Sequence, residues 1–143
     1  MPTYQYPRPA VTVDAVVFTP DQNKVLLIRR KNDPFQDHWA LPGGFIDENE
    51  APETAVAREL QEETGLTDLS FTPNGFWGAP GRDPRGHTIS LAFAATLDPT
   101  TQTPEAADDA AEAAWHNLAN LPPLAFDHAK IIAAAQKITL QEL

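Results

Sequence analysis

The chain has 143 residues, 42% of them hydrophobic, which is enough for one domain with its own core. It lacks cysteine, which excludes disulfides, thiol catalysis and cysteine-ligated metal. Its 10 Lys and Arg against 20 Asp and Glu, a formal charge of −10, argue against nucleic acid as the main partner, although metal ions can bring an acidic protein to an anionic substrate.

In chain order, the start MPTYQYPRPAVTV does not read as a signal peptide, and no run of 18 or more apolar residues follows. The cytoplasm, with no membrane partner, is therefore the expected setting. Residues 10–18, AVTVDAVVF, predict a buried strand, and 24–30, KVLLIRR, a second one joined to it by the turn PDQN as a hairpin. Residues 31–38 are a polar loop, and 39–45, WALPGGF, end in two glycines that permit unusual backbone angles and close approach of a ligand. A helix is predicted over 52–64: proline is tolerated in its first turn, Glu50 and Glu53 suit its positive end, and Gly65 is a stop signal just beyond it. Residues 67–79 are extended, 80–86 turn, and 87–97 form a strand. A polar loop over 98–110 leads to a short strand over 112–118, with Trp115 in the core. Residues 126–143 form an amphipathic helix with Ile131, Ile132, Ala135 and Ile138 on one face. Strands outnumber helices, which implies a mixed sheet covered by helices.

Within 52–64, Glu59, Glu62 and Glu63 fall in an arc of about 100° on the helical wheel, while Val56, Ala57 and Leu60 point to another side. The apolar stripe can be buried while the carboxylates face a cleft. Like charges so close repel, unless a cation sits among them. Hard divalent cations take oxygen ligands and bridge carboxylates to phosphates. A carbonyl of the glycine pair can complete such a shell, and Arg58, four residues before Glu62, can brace it.

The stretch LPGGFIDENEAPETAVARELQEETGL, residues 41–66, resembles the box of the Nudix hydrolase family, G-x5-E-x7-R-E-U-x-E-E-x-G-U with U aliphatic. Gly44, Glu50, Arg58, Glu59, Leu60, Glu62, Glu63, Gly65 and Leu66 fill its defined positions, a match expected by chance in roughly one chain per million. The resemblance implies an α/β fold, an α/β/α sandwich whose mixed β-sheet carries the catalytic helix and a C-terminal helix, as one domain over residues 1–143. It implies hydrolysis of a nucleoside diphosphate linked to another group, with Mg2+ or Mn2+. The metal would be held by Glu59, Glu62 and Glu63 with the Gly43 carbonyl, while Gly44, Glu50, Arg58 and Gly65 support the box. Arg58, Glu62 and Glu63 thereby belong to the catalytic machinery. The proton acceptor is Glu62, Glu63 or an acid of a later loop. Among Glu105, Asp108, Asp109 and Glu112, we favour Glu112, then Glu105. The resemblance also suggests a homodimer, to which the aromatic segment YQYPRP can add.

The group beyond the diphosphate is not set by the box. GRDPRGHTISLAF, residues 81–93, resembles a stretch of the ADP-ribose pyrophosphatase branch, and LPPLAFDHAKII, 121–132, a tail of that branch and of Nudix domains linked to NAD metabolism. Arg82 and Arg85 can reach the phosphates or the terminal ribose. Phe45 and Trp77, with Phe35 and Trp39 behind them, are the aromatics that can stack on adenine. His87 is expected at a strand edge, and His38 and His128 as structural or surface residues. The leading expectation is an ADP-ribose pyrophosphatase. The alternatives are a hydrolase of oxidised dNTPs or dinucleoside polyphosphates, and a domain that senses ADP-ribose without cleaving it. The sensing reading is the weaker, since the chain offers no room for a winged helix after its last helix and its box is intact.

Overall fold

A computed structural model describes residue 6 and residues 8–141, with side chains as far as residue 137. Tyr4, Gln5 and Pro7 of the aromatic N-terminal segment, and the side chain of Ile138, lie outside the described residues. The elements are β1 (Ala10–Phe18), β2 (Lys24–Arg30), β3 (Trp39–Ala40), β4 (Gly43–Phe45), α1 (Pro52–Thr64), β5 (Thr72–Trp77), β6 (Thr88–Thr96), β7 (Ala110–Asn117) and α2 (His128–Gln141). No helix among the described residues is long and apolar enough to cross a membrane.

The seven strands form one mixed sheet in which β1 runs parallel to β6 along its whole length. From Ala15 to Phe18, β1 is apolar on both faces because both are covered. Val13, Ala15 and Val17 pack with Val56 and Leu60 of α1, and Val16 and Phe18 pack with Ile131, Ile132 and Ala135 of α2. A strand buried on both sides reads as a continuous hydrophobic run rather than an alternating one. The result is the α/β/α sandwich.

The expected β1–β2 hairpin closes at its turn, where Phe18 opposes Val25, and then opens. Residues 39–45 fill the gap: β3 pairs with β2, β4 pairs with β1, and the Ala15 N–H donates to the Pro42 carbonyl at 2.8 Å. This wedge sets the two glycines beside β1, next to α1. Neither has a left-handed φ, so their role is closeness and not an unusual backbone angle. A Cβ on Gly43 would overlap the Val13 carbonyl oxygen, and a Cβ on Gly44 would stand 2.6 Å from the Glu59 carboxylate.

α1 has the expected bounds. Pro52 sits in its first turn, and Gly65 ends it at φ 76°, its N–H donating to the Gln61 carbonyl at 2.8 Å. β7 begins two residues earlier than expected. The loop before it is tied to the end of α1, with the Glu105 N–H on the Thr64 carbonyl and the Ala107 N–H on the Glu63 carbonyl.

Candidate active site

The cleft lies where the wedge, α1 and the loop before β7 meet. Arg58 organises its acid wall. Its Nε and one terminal nitrogen grip Glu50 at 2.7 and 2.8 Å, and that second nitrogen also reaches the Phe45 carbonyl at 3.1 Å. Its other terminal nitrogen reaches Glu59 at 2.9 Å and Glu62 at 3.2 Å. The bidentate grip, with the Asp47 N–H, holds the Glu50 carboxyl down at about 2 and raises Arg58 above its ordinary value. Arg58 thus ties the loop to the helix and steadies two of the three glutamates.

Glu63 is different. It is 5% exposed and accepts the Gly43 N–H at 2.8 Å. Burial pushes its carboxyl up to about 8, against the pull of that amide and with help from the nearby charges of Glu59, Asp14 and Asp109. Burial also raises Glu59, opposed by Arg58. The Glu62 side chain is 44% exposed. Among the described residues no three acidic or histidine side chains already converge on one metal position. The hydrogen bonds give the reason. Glu59 and Glu62 turn to Arg58, and Glu63 turns to Gly43.

Two adjoining chambers open here. The outer one, about 360 Å³, is lined by Glu59, Glu63, Asp47 and Asp109 together with Phe45, Arg30 and Arg85. The inner recess is smaller, about 40 Å³, and carries Arg30, Arg82 and Arg85 beside Asp14, Phe126 and His128. The Asp14 carboxylate accepts the Ser90 hydroxyl and stands 3.5 Å from His128 Nε2. His128 Nδ1 accepts the Leu41 N–H at 3.0 Å, which leaves the ring proton on Nε2, facing Asp14.

Several expected residues arrive here and several do not. Glu59, Glu63, Gly43, Gly44, Phe45 and Arg85 line the outer chamber, Phe45 being 43% exposed with Arg85 stacked over its ring at 4.8 Å. Arg82 reaches the inner recess, but its side chain is 5% exposed and committed to Asp127 at 2.8 Å through Nε. Arg85 is itself held by Asp83 at 2.8 Å. Glu112 does not reach the cleft. It stands opposite Arg29 in the β2–β7 ladder and pairs with that guanidinium at 3.0 Å. Asp109 lines the chamber instead, its loop fixed to α1 at Glu63 and its carbonyl accepting the Lys31 N–H. Glu105 is exposed outside the chamber. Trp77 packs against the α2-side core and lines neither chamber. Trp39 packs into the same core and Phe35 against Phe126.

Arg30, Asp14, Phe126 and His128 are among the lining residues that sequence reasoning missed. For Arg30 a signal existed: strand alternation puts it on the face of Leu26, which packs with α1. For the others the signal is tertiary. His128, expected as a structural or surface residue without an acid partner, is buried against Asp14.

The family model described as the NUDIX domain matches residues 8–135. The chain is 50% identical over 127 residues to an ADP-ribose pyrophosphatase of Methanocaldococcus jannaschii, covering 89% of this chain and 73% of that protein. It is 39% identical over 97 residues to the ADPR responsive transcriptional repressor NtrR of Acinetobacter baylyi, covering 65% of this chain and 39% of the repressor. The fold superposes on the NUDIX domain of Shewanella oneidensis NrtR in complex with ADP ribose with a TM-score of 0.85, at 36% identity, covering 94% of this chain and 90% of that one.

Proposed function

The chain belongs to the NUDIX domain family, and from that premise we propose that it is a pyrophosphohydrolase that cleaves ADP-ribose with water to AMP and ribose 5-phosphate. One observation carries the reading: an acid-lined chamber adjoins an arginine-lined recess. A diphosphate needs both, cations on one side and guanidinium groups on the other.

Nudix hydrolases generally need divalent metal ions, and the residues here fit Mg2+ or Mn2+. The donors are all oxygens, Gly44 leaves the Glu59 carboxylate room that a side chain would take, and Glu63 is too buried to remain charged without a cationic partner. Glu59, Glu62 and Glu63 would hold the cation, with the Gly43 carbonyl as a further ligand. The bound ion supplies charge neutralisation of the diphosphate and a more acidic water.

The remaining work falls to the chain itself. Arg58 keeps Glu59 and Glu62 in place, and the Gly43 N–H fixes one Glu63 oxygen. Asp109, replacing Glu112 as the loop acid at the cleft, or Glu63 accepts the proton of the attacking water on a carboxylate oxygen. Arg85 meets phosphate oxygens from the recess side, and Phe45 offers an exposed ring for the base. The ligand is a small nucleotide, handled in the cytoplasm without nucleic acid. Pairing as a homodimer is tested by sedimentation.

The likeness to an ADPR responsive repressor favours a second reading, binding without cleavage. A panel of ADP-ribose, NADH, diadenosine polyphosphates and 8-oxo-dGTP, each with Mg2+ and Mn2+, decides among these. AMP and ribose 5-phosphate from ADP-ribose support the first reading. Saturable binding of ADP-ribose without products supports the second, and preference for 8-oxo-dGTP contradicts both.

A further inference from the structure

The three arginines of the recess are not equivalent. Arg82 is buried and locked bidentately onto Asp127. Arg85 donates through two side-chain nitrogens to Asp83. Arg30 forms no ion pair among the described residues. Its Nε donates to the Pro34 carbonyl at 2.7 Å, one of five N–H donors on the group, and no other acceptor for it is seen among those residues. A half-buried guanidinium with unmet donors is costly unless something anionic joins it.

Its surroundings point the same way. Arg30 lines the acid chamber and the inner recess alike, a position shared with Arg85. Both guanidinium groups rest on the ring of Phe126, Arg30 at 5.1 Å and Arg85 at 5.5 Å. Phe126 is held in the left-handed region, φ 53°, with Phe35 edge-on at 4.8 Å. Two like charges on one ring repel. Burial first, and then the charge of Arg85, lowers the Arg30 pKa.

We propose that Arg30 is a substrate-anchoring residue, which together with Arg85 grips a phosphate of the diphosphate across the cleft from Glu59 and Glu63, on the plate formed by Phe126. The assignment rests on the diphosphate-hydrolase reading and names the residue of that site which carries the free cationic fork. The competing role for Arg30 is structural, a brace for residues 31–38 through Pro34.

The test compares Arg30→Gln, Arg30→Lys and Arg29→Gln in the full chain with Mg2+. Arg29→Gln removes the same charge one residue away, from the surface pair with Asp37 and Glu112. Arg30→Gln is expected to raise KM for ADP-ribose and the dissociation constant for inorganic pyrophosphate, measured by calorimetry, by roughly 10- to 100-fold. Arg30→Lys should fall between it and the wild type, since it keeps the charge and loses the fork. Arg29→Gln should leave both constants within about twofold. Unchanged pyrophosphate affinity in a folded Arg30→Gln chain overturns the proposal, as does a lower melting temperature with affinity intact. If Arg30→Gln does not fold, Arg30→Lys decides, and wild-type affinity in that variant overturns it. A wild type that turns over no diphosphate defeats the hydrolase reading alone, because the pyrophosphate titration still reads Arg30.

Discussion

The two walls of the cleft hold their charges in opposite ways. On the acid wall a single arginine holds Glu50, Glu59 and Glu62, Glu63 of the same helix has only the Gly43 N–H, and burial drives that innermost carboxyl up to about 8. On the arginine wall most of the charge is already spent: Arg82 on Asp127, Arg85 on Asp83, with Arg30, bonded to the Pro34 carbonyl, the one of the three without a carboxylate partner among the described residues. On the proposed reading a cation completes the acid wall. The arginine wall is a nearly finished scaffold with one open fork. The difference predicts that changes on the acid wall strike turnover, while most changes on the arginine wall strike stability first.

The sharpest way to break that contrast is Glu63→Gln. It keeps the volume and removes the charge a cation needs, so turnover should drop by about 10³-fold or more, roughly 4 kcal/mol of barrier. Thermal melting should show the fold retained, and a variant with full activity would erase the distinction between the walls. The matching change opposite is Asp127→Asn, which leaves Arg82 buried without its partner. Loss of stability should be about 3 kcal/mol by denaturant titration.

The same pair carries a pH signature. Burial pushes the Asp127 carboxyl up, but the hydrogen bonds and charge of Arg82 outweigh it and hold it below its ordinary 3.8. A depressed carboxyl stabilises the fold above its unfolded value and loses that contribution as pH falls through the folded one. The wild type should therefore lose stability below about pH 3.8 more steeply than Asp127→Asn.

A smaller effect sharpens the acid wall itself. In Gly44→Ala the new methyl meets the movable end of Glu59 rather than backbone, so the fold survives while the ligand is displaced. Turnover should fall by about 10- to 100-fold, read against metal concentration. The smallest effect belongs to neither wall. Glu112→Gln alters an exposed pair outside the cleft and should change turnover by less than about twofold. A large loss there would return the proton acceptor to Glu112.

How much of this was legible in the sequence follows from how each part is assembled. α1 and its acids lie within one continuous stretch, and its ends are marked by local chemistry, Pro52 at the start and Gly65 at the stop. The layers were legible too, because β1 ends in the apolar run Ala15–Phe18 and α2 has one apolar face. The recess was not, since Asp14, Arg30, Arg82 and His128 come together through strand pairing and the wedge of residues 39–45. Glu112 misled for a related reason. Its nearness to a strand was visible, but its partner Arg29 is set by the β2–β7 register, while Asp109 is brought in by backbone bonds from its loop to the end of α1. Trp77 had the right chemistry for stacking, and the apolar layer under α2 claimed it.

The central claim is that cations held by the acid wall and the arginines opposite act together on ADP-ribose. The most direct test is product analysis of ADP-ribose incubated with the wild-type chain, with Mg2+ and then with the metal chelated. The account predicts AMP and ribose 5-phosphate in equal amounts with the metal and neither without it. Intact ADP-ribose in both samples, or equal cleavage in both, would contradict it.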